Sequence, residues 1–198
     1  SYNTYRDLNI KDCNVGISIS APNNATGPAD EGNKIISSSC NTFNYIGDPN
    51  TPDDIIGGGS YGVSIAGQNE FVVRNCVIQN ITGTSSLGDV DGIVVVSSFG
   101  ANEISNNIIR NLRRSSTTIQ SNHFVSGIRI NWNNQTMTYK IFNNSISNLL
   151  TSYTGASTTV TAIIGIYYQD SGAGNVTSEI FNNSISLNGS TFPNASST

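Results

Sequence analysis

Two aspartates in the run GDVDG, Asp89 and Asp91, come nearest in type and spacing to a chemical site. Carboxylates at i and i+2 can converge on a hard cation such as Ca²⁺ when a loop adds further oxygens, and they are equally at home in turns beside Gly. The same turn chemistry accounts for Asp53 and Asp54 in TPDD. His123, the single histidine, has no Cys, Ser or acidic neighbour in sequence, so neither a triad nor a zinc site is expected around it. Arg110, Arg113 and Arg114 form the one basic cluster, suited to holding an anion or to plain solvation. Arg129, Asn131, Trp132, Tyr167, Gln169 and Asp170 offer a different chemistry. Aromatic faces beside amide and guanidinium groups suit a neutral or acidic sugar, whose ring stacks while its hydroxyls or carboxylate are hydrogen-bonded. In the alternative reading, Trp132 caps the core beneath a loop.

These residues are positioned by a repeat. A nine-residue phrase returns six times, as YRDLNIKDC (Tyr5 to Cys13), SSCNTFNYI (Ser38 to Ile46), VRNCVIQNI (Val73 to Ile81), ISNNIIRNL (Ile104 to Leu112), IFNNSISNL (Ile141 to Leu149) and IFNNSISLN (Ile180 to Asn188). Its sixth column is large and apolar throughout (Ile10, Phe43, Ile78, Ile109, Ile146, Ile185), and its third and fourth columns are rich in Asn. Columns one and six are out of phase for a single strand, so a corner is expected at columns three and four, where Asn tolerates the left-handed conformation. Between the phrases lies a strand opening with Gly, at Gly16, Gly62, Gly92, Gly127 and Gly165. Alternation puts Ile17, Val63, Ile93, Ile128 and Ile166 inward, and Ser18, Ser64, Val94, Arg129 and Tyr167 outward. The Ser/Thr/Gly-rich stretches 47–61, 82–91, 113–126 and 150–164 are expected to leave from one corner, and 21–33 from another.

A period of roughly 31 to 39 residues with these columns predicts stacked coils. The expected class is all-β, a right-handed parallel β-helix of three-strand coils, about five turns, with long loops on one edge. The Gly-Ile strand and the NNxI phrase resemble the right-handed parallel β-helix repeat superfamily, whose members include pectate lyases, polygalacturonases, phage tailspikes and secreted bacterial surface proteins. The IFNNSIS wording at Ile141 and Ile180 is most similar to repeats of large secreted Bacteroidetes-type adhesin-like proteins. For a sugar-processing enzyme the resemblance implies clustered Asp with Arg, Lys or His on the outer strand face. The two outward rows, Ser18 to Tyr167 and Ser20, Ala66, Val96, Asn131 and Gln169, contain no carboxylate. Glycosidic hydrolysis ordinarily needs two carboxyl groups about 5–10 Å apart, so no catalytic residue is assigned.

Composition narrows the function further. The chain has 198 residues, 36% hydrophobic and 11% charged, and a net charge of -4. That field is too weak to recruit nucleic acid, and no apolar run reaches the ~18 residues of a membrane span. Cys13, Cys40 and Cys76 are odd in number and stand at different columns, so buried thiols are expected, with a Cys40–Cys76 bridge conceivable. Ser1 is not an initiator Met, and residues 1–198 are expected to be a single domain, a mature product or an excerpt of a longer repetitive or multidomain protein. The expected function is a non-catalytic structural or adhesive module of a secreted, extracellular or cell-surface bacterial protein. It would assemble through open solenoid ends with flanking domains or identical subunits, into a fibre or sheath. The alternative is a carbohydrate-binding or polysaccharide-degrading protein with a polysaccharide partner; a trimeric tailspike-like fibre is a third reading. No cofactor is expected beyond the weak Ca²⁺ candidate at Asp89 and Asp91.

Overall fold

The computed structural model of the protein describes residues 2–21, 30–39, 42–117, 123–131, 136–152, 161–169 and 176–187. Among them every regular element is a strand, and strands of successive repeats lie side by side in three parallel sheets. The first sheet runs Thr4–Tyr5, Lys34–Ile36, Val72–Arg74, Gly100–Ser105, Met137–Phe142, Val176–Phe181. The second runs Asn9–Ile10, Asn44–Ile46, Cys76–Gly83, Ile108–Arg114, Ser145–Thr151, Ser184–Ser186, with Ile55–Gly57 also paired to Cys76–Gly83. The third, a glycine sheet, runs Val15–Ser20, Ser60–Ala66, Val90–Val96, His123–Asn131, Thr161–Gln169. The chain visits the three in turn and returns to the first one strand further along, an arrangement compatible with a parallel β-helix.

Register explains the sequence columns and corrects one of them. Ile10, Ile46, Ile78, Ile109, Ile146 and Ile185 form one continuous row. The second coil therefore contributes Ile46 at column six, where the repeat predicted Phe43. Its first column is Ile35, paired with Tyr5 and Val73, so this coil carries six extra residues between the columns. The Asn-rich string SSCNTFNYI imitates the phrase while running out of that insertion into the strand Asn44–Ile46.

The corner at columns three and four is built as expected. Asp7, Asn75, Asn106, Asn143 and Asn182 hold φ between 51 and 56°, where a short polar side chain is tolerated best. Next to them the column-four amides form a buried ladder. The Asn107 backbone N–H and Nδ2 donate to Asn144 Oδ1 at 3.1 and 2.9 Å, and Asn144 does the same to Asn183 at 3.0 and 2.9 Å. Each Nδ2 also donates to a carbonyl of the preceding strand, Asn107 to Val73 and Asn144 to Ile104. Every donor and acceptor of Asn144 is thus used, which removes the cost of burying an amide. Asn144→Ala leaves the Ile104 carbonyl, two Asn107 donors and Asn183 Oδ1 without it. We expect a loss of about 2 kcal/mol in urea unfolding.

A second left-handed corner stands at column eight, in Asp12, Asn80, Asn111 and Asn148, with φ of 52–57°. In the second coil the corresponding position is opened by residues 48–54, and the strand resumes at Ile55, which pairs with Ile81. The stretch 47–61 therefore leaves from this Asn corner, while the segment after Gly83 leaves from the last corner. Residues 22–29 lie outside the described residues, so the course of the 21–33 insertion is given only by its end, where Asp30–Glu31 pairs with Gln68–Asn69.

The core is the set of inward rows: Ile17, Val63, Ile93 and Ile128, then Ile19, Ile65, Val95 and Ile130, closed by column six. Complete burial of one such side chain stabilises by roughly 1.5–3 kcal/mol, so one repeated row supplies a large share of the driving force. Charges also follow the ladder, with Glu103, Lys140 and Glu179 in register and Lys140 Nζ 3.4 Å from Glu179. Cys76 is buried in the column that holds Asn44, Asn107, Asn144 and Asn183 in other coils, and burial pushes its thiol up to about 12. Cys13 and Cys76 are unbridged; Cys40 lies outside the described residues.

Candidate functional site

The glycine strands begin before their glycines, and that extra column is where the charged chemistry lies. Position −1 to Gly carries Val15, Tyr61, Asp91, Ser126 and Ile164 in register. Asp91 and Arg129, three columns apart on neighbouring coils, project from the same outer face. The Arg129 Nε and Nη2 donate to Asp91 Oδ2 at 3.1 and 2.6 Å, and the Ser126 hydroxyl donates to Asp91 Oδ1. The third guanidinium nitrogen, Nη1, lies 2.8 Å from Asp89 Oδ2. Asp89 Oδ1 accepts the Phe124 backbone N–H at 2.9 Å and stands 3.2 Å from His123 Nδ1. Asp89 and Asp91 do converge, and what they converge on is the guanidinium of Arg129, in the place a bound cation would take.

Burial governs the electrostatics. Asp91 is fully buried, and desolvation pushes it up to about 6 against the pull of Arg129 and Ser126. Burial acts to lower Arg129, but the two carboxylates outweigh it and hold the group above its usual value. Tyr61, one coil before Asp91, is raised by burial and by both carboxylates. The network is roofed by aromatic rings: Phe124 stacks on Tyr167 with centroids 4.9 Å apart, and the Arg129 guanidinium carbon lies 5.9 Å from the Phe124 centroid.

The sugar patch expected from sequence is therefore divided. Arg129 and Tyr167 are register neighbours, as are Asn131 and Gln169. Arg129 spends its donors internally and is 7% exposed, so it presents no open guanidinium. Tyr167 remains accessible and donates its hydroxyl to Gln169 Oε1 at 2.9 Å. Asn131 is half-buried, and its Oδ1 is buried with no hydrogen bond from the described residues. Trp132 and Asp170 lie outside the described residues. Among the described residues no group of three or more His, Cys, Asp or Glu side chains gathers as a metal site would require.

The basic cluster is dispersed by the fold. Arg110 donates to Gln79 Oε1 at 2.9 Å, Arg113 pairs with Asp53, and Arg114 turns beneath the 84–89 segment to the Gly88 and Ser85 carbonyls. Asp53 also accepts from the Thr82 hydroxyl, and Asp54 accepts the Asp48 backbone N–H at 2.9 Å. The TPDD loop is thereby anchored across the second corner, where it walls a groove of about 330 Å³. Asn80, Asn111 and Asn148 form the floor: Asn148 Nδ2 donates to Asn111 Oδ1 at 2.7 Å, Asn111 to Asn80 at 2.9 Å, and Asn80 to the Asp48 carbonyl at 2.5 Å. A neighbouring hollow of about 540 Å³ shares Pro52 and Asp53 and adds Asp12, Cys13 and Asp54. The signal for this second ladder was present in the phrases as QN, RN and SN at columns seven and eight.

Comparison with models of known protein families, with characterised proteins and with solved structures returns no match.

Proposed function

We propose that the chain is a right-handed parallel β-helix module of a secreted or cell-surface bacterial protein, acting as a rigid, non-catalytic structural and adhesive element. The observation that supports this reading best is the fate of the ionisable groups on the glycine sheet. Asp89 and Asp91 share the one guanidinium of Arg129 beneath Phe124 and Tyr167, so their oxygens are engaged within the protein. General acid–base chemistry needs a group that can reach a reacting atom; Asp91 has no exposed surface, and Asp89 spends its oxygens on Arg129, on the Phe124 N–H and beside His123. The contact surface is assigned to the corner edge, where loops rather than ladders meet solvent. Ile180, Phe181 and Ile185 of the last described coil are 47, 44 and 45% exposed, and a flanking coil or an identical subunit stacked there would bury them.

The reading is tested by incubating the purified chain with neutral and acidic polysaccharides, with and without Ca²⁺, while new reducing ends and unsaturated ends are measured. We expect neither to accumulate. Release of either from any member of the panel sinks the non-catalytic assignment.

A further inference from the structure

We propose that the groove at the second asparagine corner is a binding site for a neutral saccharide chain, laid across successive coils on the Asn80–Asn111–Asn148 ladder. An amide nitrogen carries two hydrogens, and each ladder member directs one to the preceding coil. The other is unspent among the described residues, so Asn111 and Asn148 offer donors one strand spacing, about 4.8 Å, apart, with the buried Asn80 set deeper behind them. Asn148 Oδ1 receives no bond from a described residue and ends the ladder with an acceptor. Amides bonded in series polarise one another, which makes these terminal groups better partners than isolated asparagines.

The wall supplies the complementary half. Asp53 and Arg113 are paired yet 34 and 42% exposed at their side chains, so carboxylate acceptors and guanidinium donors stand side by side at the groove. Adjacent hydroxyls of a sugar can donate to the one and accept from the other. Pro52 and Leu150 add apolar surface for the C–H face of a ring. The charge selects against acids. The Arg113 cation is already balanced by Asp53, and the adjoining hollow brings Asp12 and Asp54, so a uronate or sulfated chain meets net negative charge. A peptide strand fits the floor poorly, because it offers as many N–H groups as carbonyls to a row made of donors; a hydroxyl serves either way.

The site does not depend on the non-catalytic reading and would give the adhesive edge its ligand. The test is titration of the whole chain with neutral β-linked and α-linked hexasaccharides, with polygalacturonate and with an unstructured peptide of similar length. Binding is read by calorimetry and by shifts of the Asn side-chain NH₂ resonances. We expect a neutral hexasaccharide to move the Asn111 and Asn148 amide signals. Asn148→Asp, an exposed and nearly isosteric change, should weaken it at least about tenfold, with only a small fall in Tm from the lost bond to Asn111. Tyr167→Ala, on the glycine sheet, should leave the affinity unchanged. Loss of binding with Tyr167→Ala but not Asn148→Asp overturns the assignment, as does preference for polygalacturonate or for the peptide. Silence of every neutral chain also overturns it, while the absence of cleavage products in the polysaccharide assay would leave the structural module standing.

Discussion

Arg129→Met should lower the melting temperature by about 10 °C at pH 7, the largest effect of any single change away from the hydrophobic rows. The substitution keeps the aliphatic stem under Phe124 and removes the cation paired with Asp91, which is left fully buried with the Ser126 hydroxyl as its remaining side-chain partner among the described residues. Stranding a buried charge in this way costs about 3–5 kcal/mol. Replacing both partners, as Asp91→Leu with Arg129→Met, should recover part of that loss, because the fully buried charge is gone while the partly exposed Asp89 loses its guanidinium and keeps the Phe124 N–H. The pair is thus expected to fix the register of the third and fourth glycine strands more than it stabilises them.

The pH profile separates this account from one of lost packing. Asp91 is held near 6 in the folded protein, above the ordinary 3.8. Its folded state therefore retains a proton that the unfolded chain releases, and the contribution is fully present below about 3.8 and lost as pH rises through about 6. Without Arg129 the upper limit of that window moves upward, so the variant should regain stability on acidification more steeply than the parent. Asp91→Asn should flatten the profile over the same range. The exposed Lys11–Asp48 pair, which lowers Asp48, acts in the opposite sense and is screened by solvent. A urea-midpoint series from pH 4 to 8 on the three proteins decides it: parallel curves for parent and Arg129→Met would refute a charge-based loss.

Why the Asp91–Arg129 pair escaped a reading of motifs is instructive. Alternation after each glycine identified Arg129 as outward, and GDVDG marked Asp91 as a candidate ligand, yet the two are 38 residues apart and meet only through coil register. A motif that opens at glycine leaves out the column before it and with it Tyr61, Asp91 and Ser126. Local sequence does determine the columns that the core enforces, since column six and the inward rows must be apolar on every coil. It determines corners less well, because a corner accepts one Asn or a seven-residue loop equally: Asn80 and Asn111 turn the chain where residues 48–54 do so in the second coil. Phe43 was misplaced for the same reason, being an Asn-flanked aromatic inside an insertion.

The glycines themselves yield the second large effect. A Cβ at Gly127 would lie 2.6 Å from Ile146 Cγ2 and 2.7 Å from the Gly165 carbonyl oxygen, and the same two kinds of neighbour recur at Gly16, Gly62 and Gly92. The column-six isoleucine of the next coil therefore occupies the space a side chain would need, and the backbone of that same coil closes it from above. Gly127→Ala should cost about 3 kcal/mol, at the upper end for overpacking, since a carbonyl held in a parallel ladder cannot swing aside. Trimming the isoleucine in Gly127→Ala/Ile146→Ala relieves one clash and leaves the other, so that double variant should remain well below the parent in urea unfolding. Gly58, whose added Cβ would come no nearer than 3.6 Å to Ser85 Cβ, provides the contrast: Gly58→Ala should be neutral or gain up to about 1 kcal/mol by restricting the unfolded chain. Equal losses at Gly58 and Gly127 would mean that the glycine strand is demanded by conformation, and not by the isoleucine row that packs against it.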